Sequence, residues 1–302
     1  MLIVNTCGFI QPAVEEAIEE IISMGEVKGQ NPEAKLVAIG CFVQRYQSTL
    51  ADELPEVDLF IGTEACHRLG EIVEELFAEE SSGVSKLILP PRFLMERSHR
   101  NILATPSHRA WFKMTEGCDN RCSYCMIPSI RGDLRSRTMV DLISEAQWLE
   151  GQGVKELSCI AQDLTAYGDD LGEDANLVSL LHNVLSETNI PWIRLLYLYP
   201  TGVTDSLLEL MADNPRIVPY LDIPFQHVSD SVLKRMNRRH GGDELYRLVE
   251  RVRSYLPDAA IRTTFLVGFP GETEADVEKL ITYMKDARLD HVGIFPYANE
   301  EG

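Results

Sequence analysis

The sequence predicts an α/β protein, with a small parallel α/β domain at the N-terminus followed by an incomplete, TIM-like (β/α)6 barrel. Short apolar runs alternate with longer segments whose apolar residues recur every three or four positions, which is typical of strands followed by amphipathic helices. This alternation breaks off near residues 79–105 and restarts with longer units from Trp111 onward. The 302 residues are therefore predicted to form two domains.

Three short strands are predicted in the first domain, which we assign to residues 1–79. They are the apolar runs from Leu2 to Val4, from Leu36 to Ile39 and from Leu59 to Ile61. Strand and helix patterns in alternation favour a parallel sheet, because each crossover helix returns the chain to the same edge. The residues of the two helical stripes are Val14, Ala17, Ile18, Ile21 and Ile22, and Leu69, Ile72, Val73, Leu76 and Phe77.

Residues 80–107 are interpreted as a linker between the domains. The segment contains Ser81-Ser82-Gly83 and Pro90-Pro91, carries mixed charge and has no clear period. Residues of these types interrupt regular structure. A short strand from Lys86 to Leu89 is the one element predicted within it.

The second domain, residues 108–302, is predicted to contain six parallel strands separated by helices. Six βα units are too few to close a full barrel of eight, so the barrel is expected to be incomplete. In such folds the chemistry collects on the loops that leave the C-terminal ends of the strands. The strand candidates are Phe112 to Thr115, Glu156 to Gln162, Ile193 to Tyr199, Tyr220 to Phe225, Ile261 to Val267 and Val292 to Tyr297.

The composition is that of an acidic globular protein. The chain is 45% hydrophobic and 25% charged, with a formal net charge of −19. Such a surface repels phosphate backbones, so a nucleic-acid substrate is not favoured and a basic protein partner fits better, although simple solubility also explains the charge. No secretory signal and no apolar run long enough for a bilayer span is visible, which predicts no membrane association and a cytoplasmic location. Thiols stay reduced there and are able to bind metal.

Three of the seven cysteines lie in one short loop that directly follows the first predicted barrel strand. Cys118, Cys122 and Cys125 fall within eight positions, so their thiolates are able to wrap one centre. Thiolates suit iron–sulfur clusters or zinc. A structural zinc site requires four protein ligands, and the loop has three. On a 4Fe-4S cluster, three protein ligands leave one iron without a protein ligand. Three unrelated buried cysteines are the remaining alternative.

The spacing Cys-x3-Cys-x2-Cys after a first barrel strand resembles the signature of the radical S-adenosylmethionine superfamily. The resemblance implies a 4Fe-4S cluster on Cys118, Cys122 and Cys125, with S-adenosylmethionine on the open iron. In that superfamily the cofactor is cleaved to a radical that removes hydrogen from an unactivated carbon. The protein then has to position the cofactor and exclude water.

Within the superfamily, the chain resembles the methylthiotransferases over nearly its whole length. Asn5-Thr6-Cys7-Gly8-Phe9-Ile10 and Gly40-Cys41-Phe42 are similar to the N-terminal domain of that family, in which three cysteines hold a second 4Fe-4S cluster. Cys7 and Cys41 match two of these ligands. The family's first cysteine motif and its C-terminal β-barrel domain have no counterpart here, so we expect a fragment whose auxiliary cluster lacks one ligand. Cys66 is a weaker candidate for that ligand and is expected to open a helix, while Cys159 is predicted to be a core residue.

Three further groups are candidates for binding the cofactor. The resemblance implies that Gln162 and Asp163, at the end of the second strand, face the methionine end, although Asp163 equally suits a cap or Asx turn. It also implies that Gly268 and Phe269 lie near the adenosine, where a tight strand-to-helix turn with Thr273 as cap is compatible. One of Arg131, Arg135 and Arg137 is a candidate for pairing with the carboxylate of the cofactor or of the target aspartate, with Arg137 preferred for the cofactor and ordinary surface arginines as the alternative.

The substrate implied by the resemblance is an aspartate of small-subunit ribosomal protein twelve, which would receive a methylthio group at its β-carbon. The segments that favour this branch are 5–10, 127–134, 161–168 and 220–227. An electron donor such as flavodoxin or ferredoxin is an expected partner. Methylthiolation of a transfer-RNA adenosine is the alternative within enzymes, and a zinc-stabilised binding module is the alternative outside them.

Overall fold

The structure is a computed structural model that describes residues 1–31, 33–78, 85–100, 102–172 and 174–300. By its internal packing the chain divides into two compact units. The first comprises residues 1–93, 124–132 and 298–302, and the second comprises residues 94–123 and 133–297. The sequence-based boundaries were 79 and 107, so the segment assigned to a linker is divided between the two units.

The first unit is built on a four-stranded parallel sheet with the strands in chain order. Its strands are β1 (Leu2–Thr6), β2 (Leu36–Gly40), β3 (Leu59–Ile61) and β4 (Ser85–Leu87). Its helices are α1 (Gln11–Gly29), α2 (Cys41–Tyr46), α3 (Leu50–Glu53), α4 (Leu69–Ala78) and α5 (Ile127–Arg131). The three strands predicted for this domain are confirmed, and the strand predicted in the linker joins the sheet as β4. The Ser81-Ser82-Gly83 break falls outside the described residues.

Helices cover both faces of this sheet, which explains the unbroken apolar run of β2. All five residues of β2 are buried. Ala38 packs in one core cluster with Ile21 of α1, whereas Val37 and Ile39 pack in a second cluster with Ile72 of α4. Successive strand residues point to opposite faces, so a strand buried on both faces has to be apolar throughout.

The second unit contains a six-stranded parallel sheet, also in chain order. The strands are β5 (Arg109–Lys113), β8 (Glu156–Ile160), β9 (Trp192–Leu195), β10 (Ile217–Asp222), β11 (Ala260–Val267) and β12 (His291–Pro296), while β6 (Thr115–Glu116) and β7 (Arg135–Ser136) form a small antiparallel pair. All six predicted strands exist. The α/β class is confirmed, and the strand order is consistent with an incomplete barrel.

Helices pack against one face of the six-stranded sheet. They are α6 (Met139–Gly151), α7 (Leu177–Glu187), α8 (Asp205–Asp213), α9 (Asp230–Arg235), α10 (Gly242–Tyr255) and α11 (Glu274–Asp286). The core between sheet and helices includes Phe112 of β5 and Leu195 of β9. On the other face, Trp111 and Trp192 remain exposed. In the part of the chain that is described, no helix is long and apolar enough to cross a membrane.

The topology gathers the ends of parallel strands at one edge of the sheet. Glu116, Gln162, Tyr197, Gln226 and Gly268 each follow a different strand at this edge. The β6–β7 pair also lies at the exit of β5, and it joins Thr115 to Ser136 and Glu116 to Arg135. It therefore closes the base of the loop 117–134, which carries the three cysteines.

Candidate active site

The start of the cysteine loop is shaped by two residues with positive φ and by one asparagine. Gly117 has φ +77° and Arg121 has φ +51°, so the chain turns sharply on either side of Cys118. The Asn120 Nδ2 lies 3.6 Å from the Cys118 Sγ and donates to Asp163 Oδ2 at 2.6 Å. Burial raises the pKa of the Cys118 thiol; hydrogen bonds from Asn120 oppose this shift, and the nearby charges of Asp163 and Cys122 add to it.

Cys122 is held by the loop that follows α9. The Arg238 Nη1 lies 3.5 Å from the Cys122 Sγ, and its guanidinium carbon is 4.1 Å from the centre of the Tyr199 ring. Arg238 Nη2 also donates to the carbonyl of Pro224 at 2.8 Å. The guanidinium is thus fixed on three sides. Sequence reasoning missed Arg238, although it lies in the polar stretch Asn237-Arg238-Arg239-His240.

Further hydrogen bonds, from backbone and side-chain groups, join the same two loops. The Ser123 amide donates to the carbonyl of Met236 at 3.2 Å, and its hydroxyl donates to the carbonyl of Arg235 at 2.8 Å. The Asn237 side chain donates to the carbonyl of Arg121 at 2.8 Å. The first two cysteines are therefore positioned by tertiary contacts as well as by their own turn.

Cys125 is half-buried and lies in the stretch Tyr124–Gly132, which belongs to the first unit. Among the described residues, no group of three or more His, Cys, Asp and Glu side chains is arranged to hold a single metal ion. A four-iron cluster binds each thiolate to a different iron. Three soft thiolates fit such a cluster chemically.

Cys7 and Cys41 lie at the same edge of the first sheet. They follow β1 and β2 directly, and the last residues of these strands, Thr6 and Gly40, are in register. Cys7 is exposed and Cys41 is half-buried. Arg131 Nη2 donates to the Cys41 Sγ at 3.2 Å. Arg131, one of the three candidate arginines, therefore contacts a predicted ligand.

Two glycines allow the two N-terminal cysteine motifs to approach each other. Gly40 has φ +112°, and a Cβ there would lie 2.5 Å from the carbonyl oxygen of Thr6. A Cβ on Gly8 would lie 2.6 Å from the Cα of Phe42. Any larger residue at either position would push the motifs apart.

The remaining two cysteines have different surroundings. Cys159 is buried in β8 among core residues, as predicted. Cys66 opens the 3-10 turn Cys66–Arg68 before α4, also as predicted. Its Sγ lies 3.4 Å from the carbonyl oxygen of Gly62. Burial raises the pKa of the Cys66 thiol, while the charge of Arg131 opposes this shift and the charge of Cys41 adds to it.

Gln162 and Asp163 both contact the cysteine loop or its base. Gln162 Nε2 donates to Glu116 Oε1 at 3.0 Å. Asp163 Oδ1 accepts from the amide and hydroxyl of Thr165, at 3.0 and 2.6 Å, so it caps the 3-10 turn that follows β8. The capping role is therefore present, and the second carboxylate oxygen is engaged by Asn120. The predicted role toward the cofactor stays a prediction.

Gly268 and Phe269 form a tight turn after β11. Gly268 has φ +78°, and Phe269 is buried with its ring centre 5.1 Å from that of Tyr297. Thr273 caps α11, as the sequence predicts. A cavity of about 450 Å³ borders Gly268 and Phe269 and also Glu272, Glu274 and Glu278.

Arg137 is buried and fully engaged by its own unit. Its guanidinium donates to the carbonyl of Lys113 at 2.9 Å and to Asp141 Oδ2 at 2.8 and 2.6 Å. It also lies 2.5 Å from Glu145 Oε2. These contacts fix α6 to β5, which is a structural role. The predicted pairing with the cofactor carboxylate has no support from these contacts and stays a prediction.

Two residues with strained backbone mark the exits of neighbouring strands. Tyr197 follows β9 with φ +60°, and Gln226 follows β10 with φ +70°. Bulky residues adopt such angles only where the surroundings impose them, and they concentrate at functional sites. Nothing in the sequence distinguishes these two positions, because the strain arises from contacts with other strands.

Two family models match the chain. Residues 112–284 match the Radical SAM superfamily, and residues 1–62 match the family described as Uncharacterized protein family UPF0004. The first match contains the three cysteines of the loop, and the second contains Cys7 and Cys41.

The chain is also similar throughout its length to curated proteins named Ribosomal protein uS12 methylthiotransferase RimO. The one from Desulfotalea psychrophila is 57% identical over 302 residues, which is all of this chain and 68% of that protein. The one from Syntrophus aciditrophicus is 45% identical over 303 residues, covering 100% of this chain and 67% of that protein.

Among solved structures, the fold is similar to that of the radical S-adenosylmethionine methyltransferase TsrM from Kitasatospora setae, solved with cobalamin and a 4Fe-4S cluster bound. The TM-score is 0.66 at 14% identity, and the match covers 91% of this chain and 60% of that chain. At this identity the likeness establishes the fold alone.

Proposed function

Because the chain belongs to the radical S-adenosylmethionine superfamily and, within it, to the RimO-type methylthiotransferases, we propose that it adds a methylthio group to the β-carbon of an aspartate in ribosomal protein uS12. The observation that carries this proposal is the 57% identity, over the whole chain, to a protein named as a methylthiotransferase of ribosomal protein uS12. The aspartate β-carbon is the target that the family resemblance implies. The net charge of −19 suits a basic ribosomal protein as substrate.

The radical-generating site is assigned to Cys118, Cys122 and Cys125, and an auxiliary cluster to Cys7 and Cys41. When bound, S-adenosylmethionine and the two clusters supply a methyl group, the sulfur to be transferred and a radical that removes hydrogen from carbon. Electrons come from a flavodoxin or ferredoxin, in keeping with a cytoplasmic enzyme. The chain itself has to hold the thiolates in place and exclude water from the reaction.

The described contacts perform the first of these tasks. Asn120 and Arg238 donate toward the sulfurs of Cys118 and Cys122, and hydrogen bonds to sulfur are among the means by which proteins tune cluster potentials. Because Asn120 also bonds Asp163, the loop is tied to the exit of β8. The cysteine loop is therefore connected to the end of β8, where Gln162 and Asp163 are proposed to bind the methionine group of the cofactor.

The test is product analysis with the anaerobically reconstituted protein. A uS12 peptide containing the target aspartate is incubated with S-adenosylmethionine and a reductant, and mass spectrometry is expected to show a methylthio increment on that aspartate. Cys122→Ala serves as the inactive control. An increment on transfer RNA and none on the peptide would contradict the proposal.

A further inference from the structure

The second unit contains a cavity of about 720 Å³ at the exits of β5, β8 and β9. Lys113, Ile160 and Tyr197, at the ends of these three strands, line it together with residues from the stretch that precedes β5. Much of the wall is apolar, including Trp111 and Ile102. A site with mostly hydrocarbon walls and a few placed polar groups is the usual form of a small-ligand pocket.

Of the lysine and arginine side chains that line the cavity, Lys113 is the most exposed. Arg100 and Arg137 both line it, but both pair with Glu145, which is fully buried. Lys113 is different because its side chain is 30% exposed. It pairs with Glu116, three residues later, and Glu116 also accepts from Gln162. A ligand carboxylate would therefore find the Lys113 ammonium within reach of solvent and already oriented.

Tyr197 supplies a second polar group through a strained backbone. Its φ is +60°, a conformation that is unfavourable for a bulky residue. The strain is imposed from both sides: the Leu164 amide donates to the Tyr197 carbonyl at 3.0 Å, and the Leu198 amide donates to the Asp222 carbonyl at 2.8 Å. The side chain stays 45% exposed and lines the cavity instead of packing in the core.

We infer that Lys113 and Tyr197 form the subsite that receives the side-chain carboxylate of the substrate aspartate, an inference that rests on the proposed function. The Lys113 ammonium supplies the charge, and the Tyr197 hydroxyl donates a hydrogen bond. The β-carbon of an aspartate is bonded directly to its carboxylate carbon. Holding the carboxylate therefore also fixes the carbon that reacts, which is what a radical that is unselective among C–H bonds requires.

The experiment compares two uS12 peptides on the reconstituted protein in the presence of S-adenosylmethionine. One peptide carries the target aspartate and the other carries asparagine at that position, which removes the charge and keeps the shape. Fluorescence anisotropy gives the Kd of each for the wild type, Lys113→Gln, Lys113→Arg and Tyr197→Phe. Lys155→Gln is the matched control, because Lys155 is exposed and precedes β8 at the opposite edge of the sheet. Calorimetry measures S-adenosylmethionine binding separately.

We expect the wild type and Lys155→Gln to bind the aspartate peptide about tenfold more tightly than the asparagine peptide, as for one hydrogen bond to a charged group. Lys113→Gln should lose this preference, Lys113→Arg should keep most of it, and Tyr197→Phe should reduce it about threefold. S-adenosylmethionine binding should be unchanged in all variants.

Four results would overturn the inference. Equal preference for aspartate in Lys113→Gln and the wild type would show that the lysine does not hold the carboxylate. Loss of S-adenosylmethionine binding in Lys113→Gln, with the peptide preference retained, would assign the lysine to the cofactor carboxylate instead. If the wild type binds neither peptide and modifies neither, the proposed function fails and the subsite with it, whereas binding without any preference refutes the subsite alone.

Discussion

The two cysteine-bearing regions of this protein are organised in opposite ways. In the first unit, Cys7 and Cys41 lie far apart in sequence and are aligned by the register of β1 and β2. In the second unit, Cys118 and Cys122 are close in sequence, and their loop is fastened by contacts from a distant segment, above all Arg238. Pairing of strands positions the first pair, whereas the turn of the loop and its hydrogen bonds to residues 235–238 position the second. The two regions should therefore respond differently to substitution.

The largest expected effects come from removing one cysteine of either region, because each substitution should affect a different cluster. Cys122→Ala should abolish the cluster whose electron paramagnetic resonance signal changes on addition of S-adenosylmethionine, because each thiolate binds its own iron. Cys41→Ala should leave that signal intact and should instead change the signal of the auxiliary cluster. Iron and sulfide analysis together with spectra of the reduced protein check this.

Cys159→Ala is the control for that experiment, since Cys159 is buried among the core residues of its unit. It should keep its full iron content. A SAM-sensitive signal that survives in Cys122→Ala would contradict the assignment of this loop.

Acid should destabilise the second region through His240. This side chain is buried beside Arg238, and burial lowers its pKa to about 4, with the charge of Arg238 acting in the same direction. In the unfolded chain this histidine takes up a proton near pH 6.5. Between that pH and about 4, the unfolded state therefore binds a proton that the folded state does not bind. Above about pH 7 this histidine does not lower the free energy of unfolding. As the pH drops toward 4 the free energy of unfolding decreases, and at pH 5 this group lowers it by about 2 kcal/mol.

Urea unfolding at pH 7.5 and pH 5 checks this for the wild type and His240→Gln. The wild type should lose about 2 kcal/mol more than the variant between the two pH values. Other groups, including the carboxylates, titrate in both proteins, and the comparison cancels them. Equal losses would show that His240 is not the group responsible.

The alignment of the first region should depend on Gly40. Gly40→Ala adds a Cβ 2.5 Å from the carbonyl oxygen of Thr6 and forces alanine to φ +112°. We expect a loss of about 2 kcal/mol in the free energy of unfolding, from strain and backbone displacement. Gly70→Ala is the matched control, because no atom lies within 4 Å of its added Cβ and the position is exposed in α4. Equal stability of the two variants would refute the steric argument.

The smallest expected effect concerns Arg238. Arg238→Met removes the donor near Cys122 and the stacking on Tyr199, contacts worth about 1 kcal/mol each. The loop should fold but hold its cluster less firmly, so the reconstituted protein should release iron to a chelator several-fold faster than the wild type. Arg247→Met, on the helix α10, should release iron at the wild-type rate. Equal rates of iron release from the two variants would show that the backbone alone holds the cysteine loop of the second region in place.

Much of the fold could be predicted because its signals are local. The six strands of the second unit were located from short apolar runs, and the core position of Cys159 followed from its place inside such a run. Strand starts were less accurate, as β5 begins at Arg109 rather than Phe112 and β10 at Ile217 rather than Tyr220. The residues left out at the start of β10 are Ile217, Val218 and Pro219, and a proline inside an apolar run argues against a strand, so the pattern places this start too late.

The site was predicted in part for the same reason. Cysteine spacing identified one loop from the chain itself, and resemblance to a family added Cys7 and Cys41. Arg137 was chosen as a cofactor ligand from its position in sequence, yet its bonds to Asp141 and Glu145 are made by α6. A guanidinium looks the same in sequence whether it faces a ligand or a buried carboxylate.

By itself, the sequence determined the α/β class, the order of strands and helices and the three-thiolate loop, since each depends on residues close together in the chain. Tertiary structure alone decided that Arg238 faces Cys122, that Tyr197 is held at φ +60° and that Lys113 is more exposed than the two arginines of its cavity. These features depend on which distant strand ends meet at one edge of the sheet, and local preference carries no information about such meetings.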